Sequence, residues 1–265
     1  MAIPASFDLS GRVALVTGTG SPDGIGFAAA RLLAELGAPV MISATTSRVH
    51  DRVSELRGAG FDAAGVAGDL TDAGAASGLA SAALDRWGRL DIVVNNAGMI
   101  SAAVPVFESG TVESMDLPTW QAALARNLTT AFLVTKAALP AMVSRGWGRI
   151  VMVASLTGPV MAIRADAGYA AAKAGMVGLT RAAAVDTARH GITVNAVAPG
   201  WIATGSQTPE ERLQGLATPA GRSGTPAEVA AAIAWLASPA ASYITGQYLV
   251  VDGGNSIAEQ RATPA

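Results

Sequence analysis

Tyr169 and Lys173 stand four residues apart in the stretch Tyr-Ala-Ala-Ala-Lys. In a helix that spacing stacks both side chains on one face, one turn apart. A free phenol titrates near pH ~10 and is a poor proton donor or acceptor at neutrality. A lysine ammonium beside it favours the phenolate, so Tyr169 is expected to have a lowered pKa and to trade protons with an alcohol or carbonyl oxygen. The pairing is uncommon in this composition. Of 18 basic residues only two, Lys136 and Lys173, are lysine, and there are only three tyrosines. Chance would place a tyrosine four residues before a lysine about 2 times in 100, which makes a pair that merely decorates a helix the weaker reading.

Other chemistries are excluded or unsupported. There are no cysteines, so disulfides, thiolate catalysis and cysteine-bound zinc are absent. The two histidines, His50 and His190, have no metal-ligand spacing, and a metal site is not expected. A net charge of −2 offers no basic footprint for nucleic acid. The first residues lack a basic-then-apolar signal pattern and no apolar run approaches a membrane span, so a cytoplasmic protein without membrane contact is expected.

Elements that could position the pair alternate along the chain. Near-continuous apolar runs at 12–17, 40–44, 63–68, 91–95, 149–155, 192–198 and 248–252 read as strands buried on both faces. Stretches 25–36, 47–57, 72–87, 118–145, 169–189 and 226–237 are long enough for helices. This alternation predicts one α/β domain over residues 1–265, a Rossmann-type doubly wound parallel sheet of about seven strands with helices on both faces. Ligands of such sheets bind at the carboxyl ends of the strands. The irregular stretches 99–116 and 203–223 follow strand ends and read as solvent-filling loops or a substrate-side lid. The short polar tail, 255–265, is expected to fray or to enter a subunit contact.

The first strand runs into Thr17-Gly18-Thr19-Gly20-Ser21-Pro22-Asp23-Gly24-Ile25-Gly26, and a helix follows. Glycines there permit a tight turn and let backbone N–H groups approach a pyrophosphate at the helix N-terminus. A glycine cluster alone is weak evidence in a chain with 30 glycines; its place between first strand and first helix is what points to a nucleotide.

With these residues in view, the whole chain resembles the short-chain dehydrogenase/reductase family, in its 3-oxoacyl-acyl-carrier-protein reductase-like branch. The family fingerprint TGxxxGIG appears as TGTGSPDGIG, two residues longer. Asp69-Leu70 matches the pair that contacts adenine, Asn95-Asn96-Ala97-Gly98 the stretch that backs the cofactor, and Pro199-Gly200 with Ile202 and Thr204 the segment that meets the nicotinamide carboxamide. The resemblance also implies a catalytic tetrad of Asn127, Ser155, Tyr169 and Lys173. Ser155 lies fourteen residues before Tyr169, where relatives show twelve or thirteen. Its hydroxyl would bond the substrate oxygen, although a serine after a strand also serves as a cap or turn. Asn127 would link the lysine to water, and Lys173 would hold the nicotinamide ribose. The implied reaction is hydride transfer between nicotinamide C4 and a carbonyl carbon, with Tyr169 handling the proton.

An acidic residue ending the second strand would bind the adenosine ribose and repel a 2′-phosphate. Here Ala44 stands in that place, followed by Thr45, Thr46, Ser47 and Arg48. Hydroxyls and an arginine suit a phosphate, so NADP(H) is favoured, with NAD(H) the alternative; Thr46 or Ser47 could instead cap the next helix, leaving Arg48 in solvent. Leu156, Val160, Met161, Ile163 and Trp201 are the expected substrate-side residues, and they favour an apolar ketone or secondary alcohol. In carrier-protein reductases arginines tend to stand where this chain has Leu133 and Val185, although Arg126 and Arg181 are near enough to substitute. By resemblance a homotetramer on the Ala/Gly-rich helices is expected. The rival from another class is a dinucleotide-binding regulator without turnover, which a broken tetrad would have favoured.

Overall fold

The computed structural model describes residues 3–98 and 108–259. Part of the 99–116 stretch therefore lies outside the described residues. Seven parallel strands form one sheet in the order β3-β2-β1-β4-β5-β6-β7. They are β1 (Ala14–Val16), β2 (Val40–Ala44), β3 (Ala63–Ala67), β4 (Ile92–Asn95), β5 (Gly148–Val153), β6 (Ile192–Pro199) and β7 (Tyr248–Val251). Each strand after β1 follows a crossover, which is why all pairings are parallel. The strand order reverses between β1 and β4, and sheets of this kind bind ligands at the carboxyl ends beside such a reversal.

Helices cover both faces. Against one face pack α1 (Ile25–Glu35), α2 (Arg48–Gly58) and α8 (Pro226–Ala237), sealing a core around Val16, Ile42, Val94 and Val151. Against the other pack α3 (Ala73–Trp87), α5 (Thr130–Arg145) and α6 (Ala167–Thr187), around Leu15, Met41, Val93, Ile150 and Met152. Consecutive strand residues thus feed opposite cores, so the strands are apolar at every position rather than alternately.

Two expectations change. The stretch 118–145 is not one α-helix: α4 (Leu117–Leu124) passes through a π-helical turn, Ala125–Thr129, before α5 begins. Composition carries no mark of the wide turn, because all five of its residue types also occur in α-helices. The stretch 203–223 is not wholly irregular either. It contains α7 (Pro209–Leu216), started by a reciprocal capping box between Thr208 and Glu211 with Pro209 at the first helical position. Thr-Pro-Glu-Glu was a legible signal there, and the same signal, Thr225-Pro-Ala-Glu228, opens α8. Among the described residues no helix is long and apolar enough to cross a membrane.

Candidate active site

The turn after β1 is braced by the segment after β4. Thr17 Oγ accepts hydrogen bonds from the backbone N–H groups of Asn96 (3.0 Å) and Ala97 (2.9 Å). Asn96 Nδ2 donates to the carbonyls of Thr17 and Gly18, both at 3.0 Å. Gly18 has φ 71°, and a Cβ there would lie 2.8 Å from the Ala97 Cα; one on Gly26 would lie 2.4 Å from Asn96 Nδ2. The glycines are therefore needed for contact between two loops as well as for approach of a ligand. Asn95, the other asparagine of the pair, is buried and donates to Thr135 Oγ (2.9 Å), tying β4 to α5.

The residues fit a dinucleotide. Gly24 caps α1 without any side-chain hydrogen bond, and no acidic residue stands in the first turn around Ile25 and Gly26, so the positive end of the helix dipole is uncompensated. In the lengthened part of the loop Pro22 and Asp23 are exposed, with Asp23 beside Gly205. Thr19 Oγ donates to the Ser43 carbonyl (3.1 Å), and Arg48 Nη2 donates to the Gly20 carbonyl (3.0 Å), so the end of β2 and the glycine loop form one surface. Ser47 is the N-cap of α2 yet makes no capping bond with its side chain, leaving Thr45, Thr46, Ser47 and Arg48 gathered beside Ala44 with no carboxylate among them. Asp69 turns its own loop by accepting from Thr71, and Leu70 borders a cleft of about 230 Å³ that reaches Ser43, Gly68 and Ala75.

Past the sheet, the four expected catalytic residues converge. β5 ends at Val153, so Ser155 lies two residues beyond the strand rather than closing it, and its Oγ accepts from the Thr157 N–H (3.1 Å). The longer loop is taken up by a turn in which the N–H groups of Val160 and Met161 return to the Leu156 carbonyl. Ala165 then adopts φ 58°, an uncommon left-handed conformation for alanine, just before α6. α6 carries Tyr169 to the side of Ser155, which lowers the phenol's pKa, and Lys173 Nζ lies 5.5 Å from the centre of the Tyr169 ring. Lys173 is buried and donates to the Val153 carbonyl (2.9 Å). Asn127, in the middle of the π-turn, donates to the Ala123 carbonyl (3.1 Å). The wide turn swings Asn127 toward Gly98 and Lys173, which meet at one point: a Cβ on Gly98 would be 2.6 Å from Asn127 Oδ1 and 3.4 Å from Lys173 Nζ.

The electrostatics correct one expectation. Burial pushes the Tyr169 phenol up to about 12; Ser155 beside it lowers it, while the carboxylates of Asp166 and Glu211 raise it further. Burial also draws the Lys173 ammonium down to about 8. Desolvation outweighs the attraction between them, because burial strips water from both charged forms. Asp166 was not anticipated. It is buried at the start of α6, caps nothing, leaves Oδ1 without a partner, and burial pushes its carboxyl up to about 6.

On the substrate side Leu156 is buried, Met161 and Trp201 are half-buried, and Val160 and Ile163 are exposed. α7 adds exposed Leu213 and Leu216, which the sequence reading had not placed. β6 delivers Pro199 and Gly200 to this edge; Ile202 is buried and pairs with Gly224, and Thr204 Oγ bonds Ser206 Oγ (3.0 Å). Arg126 is held in an ion pair with Glu108 at 2.6 Å, both side chains largely covered, so it does not replace the missing surface arginines; Arg181 remains exposed. Among the described residues no group of histidine, aspartate and glutamate could hold a metal ion.

A family model described as Enoyl-(Acyl carrier protein) reductase matches residues 18–256. The 3-oxoacyl-[acyl-carrier-protein] reductase FabG of Vibrio cholerae is 41% identical over 251 residues, 93% of this chain and 98% of that one. The cis-4-hydroxycyclohexanecarboxylate dehydrogenase of Sinomonas cyclohexanicum is 42% identical over 247 residues, 92% of this chain and 96% of its own. A Beutenbergia cavernae crystal structure, provisionally assigned as an NAD(P) dependent gluconate 5-dehydrogenase and holding NADP at low occupancy, superposes with a TM-score of 0.84 at 38% identity, covering 94% of this chain and 98% of that one. A matching seven-stranded fold and relatives this similar along nearly the whole chain have one reading: the protein belongs to the short-chain dehydrogenase/reductase family, resembles its 3-oxoacyl-acyl-carrier-protein reductase branch, and is an NAD(P)-dependent oxidoreductase acting on CH–OH groups.

Proposed function

We propose that this protein interconverts an apolar ketone and its secondary alcohol with NADP(H), using Asn127, Ser155, Tyr169 and Lys173. The observation that carries the reading is the convergence of Ser155 and Tyr169 above a buried Lys173. Ser155 and Tyr169 together present two hydroxyls to one carbonyl oxygen, and Tyr169 holds the proton that oxygen takes on reduction. With its phenol pushed up to about 12, Tyr169 stays protonated and is set to act as the acid. Lys173 supplies the positive charge that would stabilise the phenolate once that proton has left. The dinucleotide, when bound, supplies or accepts the hydride.

The glycine loop and the N-terminus of α1 would hold the pyrophosphate, and Asp69 and Leu70 the adenine. NADP(H) rests on Ala44 in place of a carboxylate and on Arg48 at the rim of the loop. The solved relative with bound NADP supports the same choice. An apolar substrate rests on the collar of Val160, Ile163, Leu213 and Leu216.

Two further readings follow from the surface. Exposed apolar side chains on the α4–α6 layer, Leu117 (65% exposed), Phe132 (45%) and Val185 (81%), support a homotetramer assembled there. We also read residues 1–265 as one cytoplasmic domain. A 3-oxoacyl-acyl-carrier-protein substrate, suggested by the Vibrio relative, is the second reading; against it stand Val185 and Leu133 in the arginine positions and the engaged Arg126.

The deciding experiment follows nicotinamide absorbance with NADPH and NADH in parallel, over aliphatic, aryl and 3-oxoacyl ketones. Faster NADPH oxidation with apolar ketones is the expected result. A preference for NADH would overturn the cofactor assignment, and silence across the panel would favour the non-catalytic regulator.

A further inference from the structure

β7 contributes a residue to this site that no motif marks. Tyr248 opens β7 opposite Ala196 of β6. Its side chain reaches past β6, and its hydroxyl donates to the backbone carbonyl of Ser155 at 2.7 Å. Ala196 is small and buried, which leaves room for the ring to cross.

The bond falls where the sheet stops holding Ser155. Two N–H groups here are tied to β6, Ala154 N–H to the Val197 carbonyl (2.8 Å) and Leu156 N–H, in the same peptide plane as the Ser155 carbonyl, to the Pro199 carbonyl (3.3 Å). The Ser155 carbonyl itself lies past the last ladder pair, Val153 with Val197, and Tyr248 supplies its donor. Without Tyr248 only the longer Leu156–Pro199 bond would hold this plane, and tilting of the plane shifts the Ser155 Cα and the hydroxyl it carries. Catalytic hydrogen bonds are sensitive to such displacement, since a shift near ~1 Å can cost about a hundredfold in rate.

We infer that Tyr248 is a positioning residue, which locks the Ser155 peptide so that the serine hydroxyl stays aligned with Tyr169. The inference rests on the reading of Ser155 and Tyr169 as the catalytic hydroxyls. Burial, with the Asp252 carboxylate adding to it, pushes the Tyr248 phenol up to about 12, so it remains a donor across any working pH. The bond its hydroxyl makes is to backbone.

Tyr248→Phe removes that hydroxyl and keeps the ring. We expect kcat to fall about threefold to tenfold while the KM for NADPH stays within about twofold, because the nucleotide loops are untouched. A structural role alone would lower the thermal midpoint without this split. The link to Ser155 is read by a double-mutant cycle. In a Ser155→Ala background, adding Tyr248→Phe should cost nothing further in kcat; equal losses in both backgrounds would overturn the inference. A second readout needs no substrate. The Thr157 amide, bonded to Ser155 Oγ, should exchange its hydrogen at least about fivefold faster in Tyr248→Phe than in wild type, with β4 amides unchanged. Unchanged exchange at Thr157 would also overturn the inference. Absence of turnover in the wild type with normal coupling in the exchange experiment would instead refute the ketone-reductase reading and leave the positioning of Ser155 standing.

Discussion

Gly98 and Asn127 approach so closely that a Cβ on Gly98 would lie 2.6 Å from Asn127 Oδ1, inside any real contact distance. The same Cβ would stand 3.4 Å from Lys173 Nζ. Gly98→Ala should therefore displace Asn127 and lower kcat by roughly tenfold or more, with a loss of about 2–4 °C in thermal midpoint. Gly78→Ala is the control. Gly78 is exposed in the middle of α3 with nothing within 4 Å of its added Cβ, so alanine there should stabilise by about 0.5–1 kcal/mol and leave kcat alone.

Tyr169→Phe tests the proton donor. Removing the hydroxyl leaves the ring packed and the glycine loop intact. Turnover should fall about a thousandfold, while NADPH binding, followed by fluorescence titration, stays within about threefold. A variant that retains a tenth of wild-type activity would show that another group delivers the proton.

Asp166 gives a pH test with a definite sign. Its carboxyl is raised from 3.8 to about 6 by burial, so the folded chain binds a proton more tightly than the unfolded chain. Stability from this group is complete below about pH 4, falls through the interval to about pH 6, and stays lost above it. Asp166→Asn should match wild type in urea unfolding at pH 4 and exceed it by about 1–3 kcal/mol at pH 7. Because the Asp166 carboxylate also raises the Tyr169 pKa, the same variant should move the pH optimum for alcohol oxidation downward. A lower stability at pH 7 would show that the charged carboxylate stabilises the fold.

Cofactor choice is testable at the end of β2. Ala44→Asp places a carboxylate beside the glycine loop, where the Ala44 Cβ is 3.2 Å from the Cβ position of Gly20. It should repel a 2′-phosphate and bond the ribose of NADH, shifting the kcat/KM ratio of NADPH to NADH by about tenfold to a hundredfold toward NADH. No change in that ratio would place the phosphate elsewhere.

Much of this protein was legible in one dimension. Apolar runs at strand length, separated by helix-length stretches, determine a parallel sheet covered on both sides, because no other arrangement buries every position of such strands. Tyr169 and Lys173 were legible because their relation is local: a helical turn brings residues four apart together whatever the remainder of the chain does. The glycine loop was legible because backbone freedom is a property of the residue itself.

What only the tertiary structure decided depends on residues far apart in the chain or on removal of water. Tyr248 meets Ser155 across 93 residues, a relation set by strand order and by the small Ala196 between them. The π-turn that aims Asn127 leaves no compositional trace. Tyr169 and Lys173 are adjacent, as their spacing required, yet burial raises one pKa and lowers the other, against the direction expected from their charges. Sequence spacing sets which groups can touch. Desolvation, which belongs to the packed molecule, sets what each is worth as an acid or a base.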